Sequence, residues 1–570
     1  MDVLQKNYKL RKMLVYTAVS MVIAWAVFTL LIYPNLKLLS ITLFPEGYLD
    51  LKPIMNILSS ERAITSLRNS FILACCLTVT VNILGLFQII VLDYFKVKGS
   101  RWLSIAYHAP LICNGMVLVM AYNFIYGSQG FVTNLVPGLD PLWFKGFWPV
   151  LIELTFAGTA NHIMFVRAAM KSVDYQTIEA AQNMGVRSGR ILWKIVIPTL
   201  KPSIFAASIL TFIVGMSALA TPQVLGGDKF ETINTLIFSF SKTLTTRNYA
   251  AILAIFLGCI TVTVLLISIY IEKRGNYRSV SKVKTPLIKQ EIKSPLIRVI
   301  VTMIAHLIAV IQTLPILAVI CFSFMPVADL YAGKMIIHNF SLDNYFAVFH
   351  STTGIRPVLT SLIYAALASL IVVIIMLFIG RLITKYNNKL TSTLELLLQI
   401  PWFLPATLIA LGLVMAFNKA NMLLLGSILT GTIFILLIGY VILTTPYTLR
   451  MIKAAYASVD SSLEEAAKNL GASAFKTYIK VVLPVIIPMV LSIFLLNFIG
   501  LLAEYDLSVF LFQPLYQPLG VVLNAASSPE ASPQAQMLSF VYSVIIMVVS
   551  TMVIVFVYAG RITKFSIRKK

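Results

Sequence analysis

Two acidic residues are the first candidates for chemistry, because they interrupt apolar sequence. Glu504 and Asp506 end a hydrophobic run that begins near residue 485, and the sequence from Leu507 to Phe512 is apolar again. Carboxylates in such surroundings are costly and usually face a cavity or a path for a cation. We therefore take both as candidate path-lining residues, with the boundary of a helix as the alternative.

The patterns of most catalytic and metal sites are missing. The five cysteines fall in apolar runs without metal-ligand spacing, and no two of the five histidines share the spacing of ligands on a helix. The only Gly-Lys pair, Gly333-Lys334, is followed by Met335 rather than by the Ser or Thr of a phosphate-binding loop. We expect no catalytic residue, no metal site and no enzyme activity in this chain. Glu153 lies near the end of an apolar run and is interpreted as a boundary residue, with part of a relay as the alternative.

A stretch of 25 residues occurs twice with its spacing intact. The copies span 174–198 and 460–484, so matched positions differ by 286. An isolated Glu-Ala-Ala tripeptide carries no information, whereas two copies with a glycine and a proline at the same distances are a strong signal. The matched residues are Glu179, Ala180, Ala181 and Gly185 in the first copy and Glu465, Ala466, Ala467 and Gly471 in the second.

The repeated stretch predicts a short helix, a sharp turn and a second helix. Asp174 and Asp460 suit N-caps, and Ser461 with Glu464 fits a capping box. The repeated glycine should close the first helix in a left-handed conformation, and the proline suits the start of the next helix. Small alanines leave a face that a partner surface can approach closely. The alternative is a solvated loop between two membrane helices.

The composition indicates an integral membrane protein. Hydrophobic residues make up 59% of the 570 residues, charged residues make up 12%, and the mean hydropathy is +0.88. No soluble core could bury that fraction. Twelve apolar runs are long enough to cross a bilayer as helices. They cover about 13–34, 69–92, 103–127, 146–166, 202–223, 249–271, 299–325, 357–380, 394–417, 421–449, 485–505 and 538–560.

The distribution of the net charge of +23 predicts the topology. With the N-terminus in the cytoplasm, the cytoplasmic segments hold 34 of the 45 Lys and Arg residues, and the outer segments hold 11. This bias follows the positive-inside rule and puts both repeated stretches in the cytoplasm. Each half then has six spans, so the halves are parallel repeats related by an axis along the membrane normal. Since the basic residues flank membrane spans, a nucleic-acid partner is excluded.

Another pair of segments is less alike. Residues 110–122 resemble residues 401–413, with an offset of 291. The first segment contains Pro110 and Gly115, and the second contains Pro401 and Pro405. Such residues can break a spanning helix where neighbours or a cavity satisfy the backbone. Broken helices beside a path and ordinary helix kinks are the two interpretations.

The repeated stretches resemble the EAA loop of permease subunits of bacterial ABC importers with the type I permease fold. The resemblance covers both halves of the chain, and only Ile197, where the family usually has Leu before the proline, departs from it. In that family the loop is a cytoplasmic coupling helix that sits in a groove of an ATPase subunit and transmits its closure to the membrane helices. The matched Glu, Ala, Ala and Gly residues are expected to carry this role.

The resemblance implies one chain that replaces a pair of permeases. Residues 1–271 form the first half, residues 272–298 a cytoplasmic linker, and residues 299–570 the second half. Two copies of an ABC ATPase subunit are expected on the cytoplasmic side and an extracytoplasmic substrate-binding protein on the other. ATP and Mg are bound by those ATPase subunits, so no cofactor is expected in this chain. The expected location is the lipid bilayer of the bacterial plasma membrane, with several spans and both termini in the cytoplasm.

Fused permeases of this layout resemble ferric iron permeases most, which makes ferric iron the expected substrate. Thiamine, phosphonate and polyamine permeases are the alternatives within the same machinery. An ion-coupled secondary transporter with two parallel six-span halves fits the composition and topology equally well. Only the duplicated EAA loop, which has no use without an ATPase, separates that class from an importer.

Overall fold

The computed structural model describes residues 21–44, 48–113, 115–128, 130–171, 173–243, 245–274, 287–331, 336–386, 388–528 and 530–567. Helices dominate this part of the chain, and β-structure there is limited to isolated bridges. In lipid the backbone must satisfy its hydrogen bonds within each segment, which a helix achieves. The predicted all-helical class is confirmed.

Ten helices in the described ranges are long and apolar enough to cross a membrane, or twelve if each of two bent pairs counts as one span. In chain order the main helices are α1 Met21–Leu43, α2 Glu61–Tyr94, α3 Ser100–Leu111, α4 Gly115–Tyr126, α5 Phe147–Met170, α6 Tyr175–Asn183, α7 Ser188–Ser217, α8 Ile233–Ser241, α9 Arg247–Arg274, α10 Pro295–Ser323, α11 Thr352–Tyr386, α12 Lys389–Trp402, α13 Ala406–Phe417, α14 Ile433–Ala457, α15 Ser461–Asn469, α16 Ala474–Leu501, α17 Leu519–Ala526 and α18 Pro533–Ile567. Shorter helices cover Lys52–Leu58, Phe131–Leu135, Val327–Tyr331, Asp343–His350 and Ser508–Leu511.

Some predicted span boundaries were wrong. The span predicted at 421–449 begins only at Ile433, because 421–432 is a loop that ends at the N-cap Thr432. The span predicted at 485–505 ends at Leu501. Of the first predicted span, 13–20 lie outside the described residues, and α1 continues to Leu43. Apolar side chains therefore extend beyond helix ends, which composition alone does not reveal.

The third and ninth predicted spans are broken. Helices α3 and α4 meet at 103°, and α12 and α13 meet at 105°. Pro405 separates the second pair in an extended conformation, with φ −55° and ψ 142°, so it cannot continue the helix before it. Angles this large favour the interpretation of broken helices over ordinary kinks.

The chain packs into two compact units. The smaller unit holds the described residues of Met1–Ile54, Leu362–Leu501 and Leu507–Tyr516. In it, α1 packs against α13: the Tyr33 and Phe417 ring centroids are 6.0 Å apart, and Asn421 donates a hydrogen bond to the Tyr33 hydroxyl at 2.9 Å. Buried aliphatic residues of α1, α11, α14 and α16 form its core.

The larger unit holds the described residues of Met55–Ser361, Leu502–Asp506 and Gln517–Lys570. Helix α2 packs against α5 and α7, and Gly215 lies so close to Ala74 that an added Cβ would be 2.7 Å from its Cα. Helix α10 joins this group through a hydrogen bond of 3.0 Å between Gln88 and Gln312. Small residues and interhelical hydrogen bonds are the usual means of helix association in lipid.

The compact units differ from the predicted sequence halves. Helix α1, from the first half, packs with helices of the second, and α10, from the second half, packs with helices of the first. The division at 1–271, 272–298 and 299–570 describes a sequence repeat, and as such it stays a prediction.

Candidate functional site

The first repeated loop is built around α6. The Asp174 carboxylate caps this helix by accepting a hydrogen bond of 3.1 Å from the Gln176 N–H. Gly185 follows the helix with φ +79°, and the turn is closed by bonds from Gly185 N–H to Gln182 and from Val186 N–H to Ala181. This is the left-handed glycine turn expected from the sequence.

The second loop, around α15, has the same backbone geometry. Asp460 accepts a hydrogen bond of 3.0 Å from the Ser462 N–H, and Gly471 has φ +78°. The turn again has two bonds, from Gly471 N–H to Lys468 and from Ala472 N–H to Ala467. Matching sequence at an offset of 286 has therefore produced matching local structure.

The residues matched between the loops lie on their open side. Glu179, Ala180 and Gly185 are exposed in the first loop, and Glu465, Ala466 and Gly471 are exposed in the second. Ala181 is buried and Ala467 is half-buried at the edge of that face. The candidate coupling residues thus form a small acidic and alanine-lined surface on each loop.

Sequence reasoning missed an apolar residue next to each glycine. The Met184 side chain is 82% exposed and that of Leu470, at the matched position, is 88% exposed. Large apolar side chains this open at a matched position are typical of a surface that a partner covers. The signal was present in the sequence, since both residues directly precede the repeated glycine.

The second loop is held to the membrane helices by an ion pair. Arg381 of α11 donates two hydrogen bonds to the Glu464 carboxylate, at 2.9 and 2.5 Å, and its guanidinium lies 5.7 Å from the Tyr456 ring centroid. The hydrogen bond from Arg381 lowers the pKa of Glu464. The predicted capping box of Ser461 with Glu464 was wrong, because Asp460 is the N-cap and a distant arginine binds the glutamate.

The helices after the two loops begin earlier than predicted. Helix α7 begins at Ser188, ten residues before Pro198, and α16 begins at Ala474, ten residues before Pro484. A π-helical turn precedes each proline, at Leu192–Val196 and Tyr478–Val482. Proline crowds the preceding turn of an α-helix, and a wider turn makes room for it. The prolines therefore lie inside continuous helices that run from the loops into the membrane segments.

The candidate path residues follow α16 rather than lying within it. Glu504 and Asp506 belong to the short segment Leu502–Asp506. Asp506 is half-buried, its Oδ1 has no hydrogen-bond partner among the described residues, and it accepts a hydrogen bond from the backbone of Ala220. Burial, with the nearby Glu504 charge, raises the pKa of Asp506 to about 7.

A network of polar side chains continues from this segment. The Tyr505 hydroxyl donates a hydrogen bond of 2.7 Å to Gln223, which donates to Asn524 at 3.5 Å. Glu153, interpreted as a boundary residue near the end of a span, lies within α5, is 1% exposed and accepts a hydrogen bond of 2.8 Å from the Thr221 hydroxyl. Among the described residues, no group of three or more His, Cys, Asp or Glu side chains is arranged to hold a metal ion.

Comparison with known proteins identifies a family that matches both halves of the chain. The family described as "Binding-protein-dependent transport system inner membrane component" matches residues 13–274 and 376–564. "Probable ABC transporter permease protein y4fN" of Sinorhizobium fredii is 36% identical over 497 residues, covering 86% of this chain and 87% of that protein. "Ferric transport system permease protein FbpB" of Actinobacillus pleuropneumoniae is 22% identical over 500 residues, covering 85% of this chain and 70% of that protein. A solved bacterial ABC transporter involved in alginate import has a TM-score of 0.39 at 18% identity, covering 48% of this chain and 99% of that chain.

The family match spans most of both halves, and the 36% identical relative extends over most of the chain. These matches exclude the ion-coupled secondary transporter. With its many apolar helices and two loops of one geometry, the chain belongs to the family of binding-protein-dependent transport system inner membrane components, the permease subunits of ABC importers.

Proposed function

We propose that this chain is the whole permease of an ATP-driven importer and that its two loops dock two separate ATPase subunits. The observation that carries the proposal is the shared geometry of the loops. Each presents an exposed glutamate, Glu179 or Glu465, beside an exposed alanine and a left-handed glycine. Two equivalent docking elements on one chain suit two copies of one ATPase.

Coupling would pass from each loop directly into a membrane helix. Only the turn residues separate α6 from α7 and α15 from α16. The second loop is braced by the ion pair between Arg381 and Glu464, so a force applied to α15 reaches both α11 and α16. ATP and Mg would be bound and ATP hydrolysed by the partner subunits, and this chain would convert their closure into movement of its helices.

The charge distribution supports a cytoplasmic position for both loops and both termini. A lysine-rich and arginine-rich side facing the cytoplasm is the arrangement that membrane insertion favours. The opposite face would then receive a substrate-binding protein. The family description, "Binding-protein-dependent transport system inner membrane component", supports such a partner. The membrane would be the bacterial plasma membrane.

Glu504 and Asp506 are proposed to line part of the translocation path. Partly buried carboxylates at a helix end suit a hard cation, which prefers oxygen ligands. Glu504→Gln should therefore lower ATP-dependent uptake while leaving assembly and basal ATP hydrolysis intact. Unchanged uptake kinetics would return Glu504 to the alternative of a helix boundary.

Ferric iron is the substrate that we propose. Two relatives named as ferric transport system permeases, at 22% and 23% identity, match 85% of this chain. Relatives named as 2-aminoethylphosphonate permeases match only 43% of it, at 22% identity. Phosphonate, thiamine and polyamine remain the alternatives within the same machinery.

Reconstitution tests both the ATP-driven transport with docked ATPase subunits and the proposed substrate. The chain, its co-purified ATPase and its binding protein are placed in vesicles, and ATP-dependent uptake of ferric iron, thiamine, a phosphonate and a polyamine is measured. Uptake of iron alone supports the full proposal, and uptake of another substrate corrects only the substrate. A chain that binds no ATPase and transports without ATP would overturn the docking role of the loops.

A further inference from the structure

The linker between the halves contacts the first loop. Gln290 forms an isolated parallel bridge with Phe95: its N–H donates to the Tyr94 carbonyl at 2.7 Å, and its carbonyl accepts from the Lys96 N–H at 2.8 Å. Tyr94 is the last residue of α2, and Phe95 and Lys96 follow it. The segment 287–293, which we call the linker arm, is therefore attached to the C-terminal end of α2.

The side chain of Gln290 extends the attachment to the coupling helix. Its Oε1 accepts a hydrogen bond from Gln182 of α6, and its Nε2 donates to the Ile288 carbonyl at 2.8 Å. Only 7% of Gln290 is exposed. The Tyr94 hydroxyl donates a hydrogen bond of 2.9 Å to the Ser188 carbonyl, so the C-terminal end of α2 also contacts the start of α7.

The arm is anchored at its other end as well. Ile292 is 7% exposed, and its carbonyl accepts two hydrogen bonds from the Arg298 guanidinium, at 3.1 and 2.7 Å. Lys96 forms an ion pair of 3.0 Å with Glu291. The arm is thus a fixed element between α2, the first loop and the start of α10.

A recess of about 440 Å³ lies between the linker arm and the C-terminal turn of α6. Its charged lining consists of Lys96, Arg187, Lys289, Glu291 and Lys293. Since Lys96 pairs with Glu291, three positive charges remain, and within the described residues no carboxylate forms an ion pair with them. The open turn at Gly185 forms part of the same lining.

The second loop is anchored in a different way. The position matched to Gln182 is Lys468, and the ion pair between Arg381 and Glu464 holds α15 from the side of α11. The linker arm follows the first half in the sequence and contacts the first loop. The two loops therefore share a backbone geometry but differ in what lies beside them.

We propose that the linker arm belongs to the first ATPase-docking site and that its basic recess takes an acidic segment of the ATPase bound there. This rests on the proposed docking role of the loops. The recess is contiguous with the coupling face at Gly185, and its net positive charge complements carboxylates. The two ATPase contacts are then unequal, and the first is the more sensitive to salt.

Charge reversal in the assembled complex tests this. In Lys289→Glu/Lys293→Glu, the permease should lose one of its two ATPase subunits on purification at moderate salt, and substrate-stimulated ATP hydrolysis should fall at least several-fold. Lys98→Glu/Arg101→Glu is the matched control, because both residues are exposed and neither lines the recess. The control should keep both subunits.

A photoreactive residue at position 289 gives an independent readout. Cross-linking to an acidic segment of the ATPase supports the proposal, whereas cross-linking only to lipid overturns it. Retention of both subunits in Lys289→Glu/Lys293→Glu with unchanged salt sensitivity also overturns it. If the wild-type chain carries no ATPase at all, the docking role of the loops fails instead, so the two failures are distinguishable.

Discussion

Asp506 accepts a hydrogen bond from the backbone of Ala220, the residue at its own position in the first half of the repeat. Position 220 is alanine, so Asp506 has no acidic counterpart in the first half. The structure adds that the two matched positions are in contact. An asymmetric acid therefore lies where the equivalent segments of the two halves meet, which is why we include Asp506 in the proposed path.

Asp506 should make stability depend on pH. Its pKa is raised from 3.8 to about 7, so the folded protein holds this proton more tightly than the unfolded chain does. The stabilisation is full below the unfolded pKa and is lost as the pH rises through about 7. The thermal stability of the wild type in detergent should therefore fall between about pH 4 and 7 and level off above that, and that of Asp506→Asn should fall less.

The matched control for this measurement is Asp228→Asn, because Asp228 is exposed. It should keep the wild-type pH dependence. If Asp506→Asn kept the wild-type dependence of thermal stability on pH, a group other than Asp506 would be responsible for it.

The glycine turns should be required for coupling. Gly185→Val and Gly471→Val place a β-branched residue at φ of +79° and +78°, which costs of the order of 1–3 kcal/mol. No atom lies within 4 Å of an added Cβ at either position, so the cost is backbone strain rather than a clash. We expect a chain that inserts in the membrane but retains less ATPase, with the largest loss in the double variant.

Gly189→Val is the matched control, since it also has free space around an added Cβ but no positive φ. It should retain the ATPase normally. Normal transport by the double glycine variant with its ATPase bound would refute the coupling role of the loops.

Met184 and Leu470 should each contribute apolar contact with an ATPase subunit. Burial of such a side chain is worth about 1.5–3 kcal/mol, so Met184→Asp or Leu470→Asp should weaken ATPase binding by about 10- to 100-fold. The measurement is titration of purified ATPase onto permease in nanodiscs. Met422→Asp is the control, because Met422 is 96% exposed but precedes α14 on the proposed outer side.

The topology can be tested by cysteine labelling in a cysteine-free background. A cysteine at Ser528 should react only with reagent added outside, because the charge distribution puts that segment on the outer face. Cysteines at Arg278 and Lys569, which lie outside the described residues, should react only from the cytoplasm. Labelling of Arg278 from outside would place both loops on the wrong face for an ATPase.

The features that depend on residues close together in the chain were predicted from the sequence alone. Apolar runs of spanning length must be helical in lipid, which determined the class. The caps at Asp174 and Asp460 and the turns at Gly185 and Gly471 depend on residues within a few positions of each other, so they were predicted correctly. The repeat at an offset of 286 then placed the same element twice.

Contacts between distant residues were decided only by the tertiary structure. Glu464 had a local partner available in a capping box, but the Arg381 guanidinium, 83 positions away, makes two charged hydrogen bonds with it instead. The pairing of Gln290 with Tyr94 and the packing of α1 with the second half have no local pattern at all. Such contacts depend on which helix faces become neighbours, and one-dimensional spacing does not encode that.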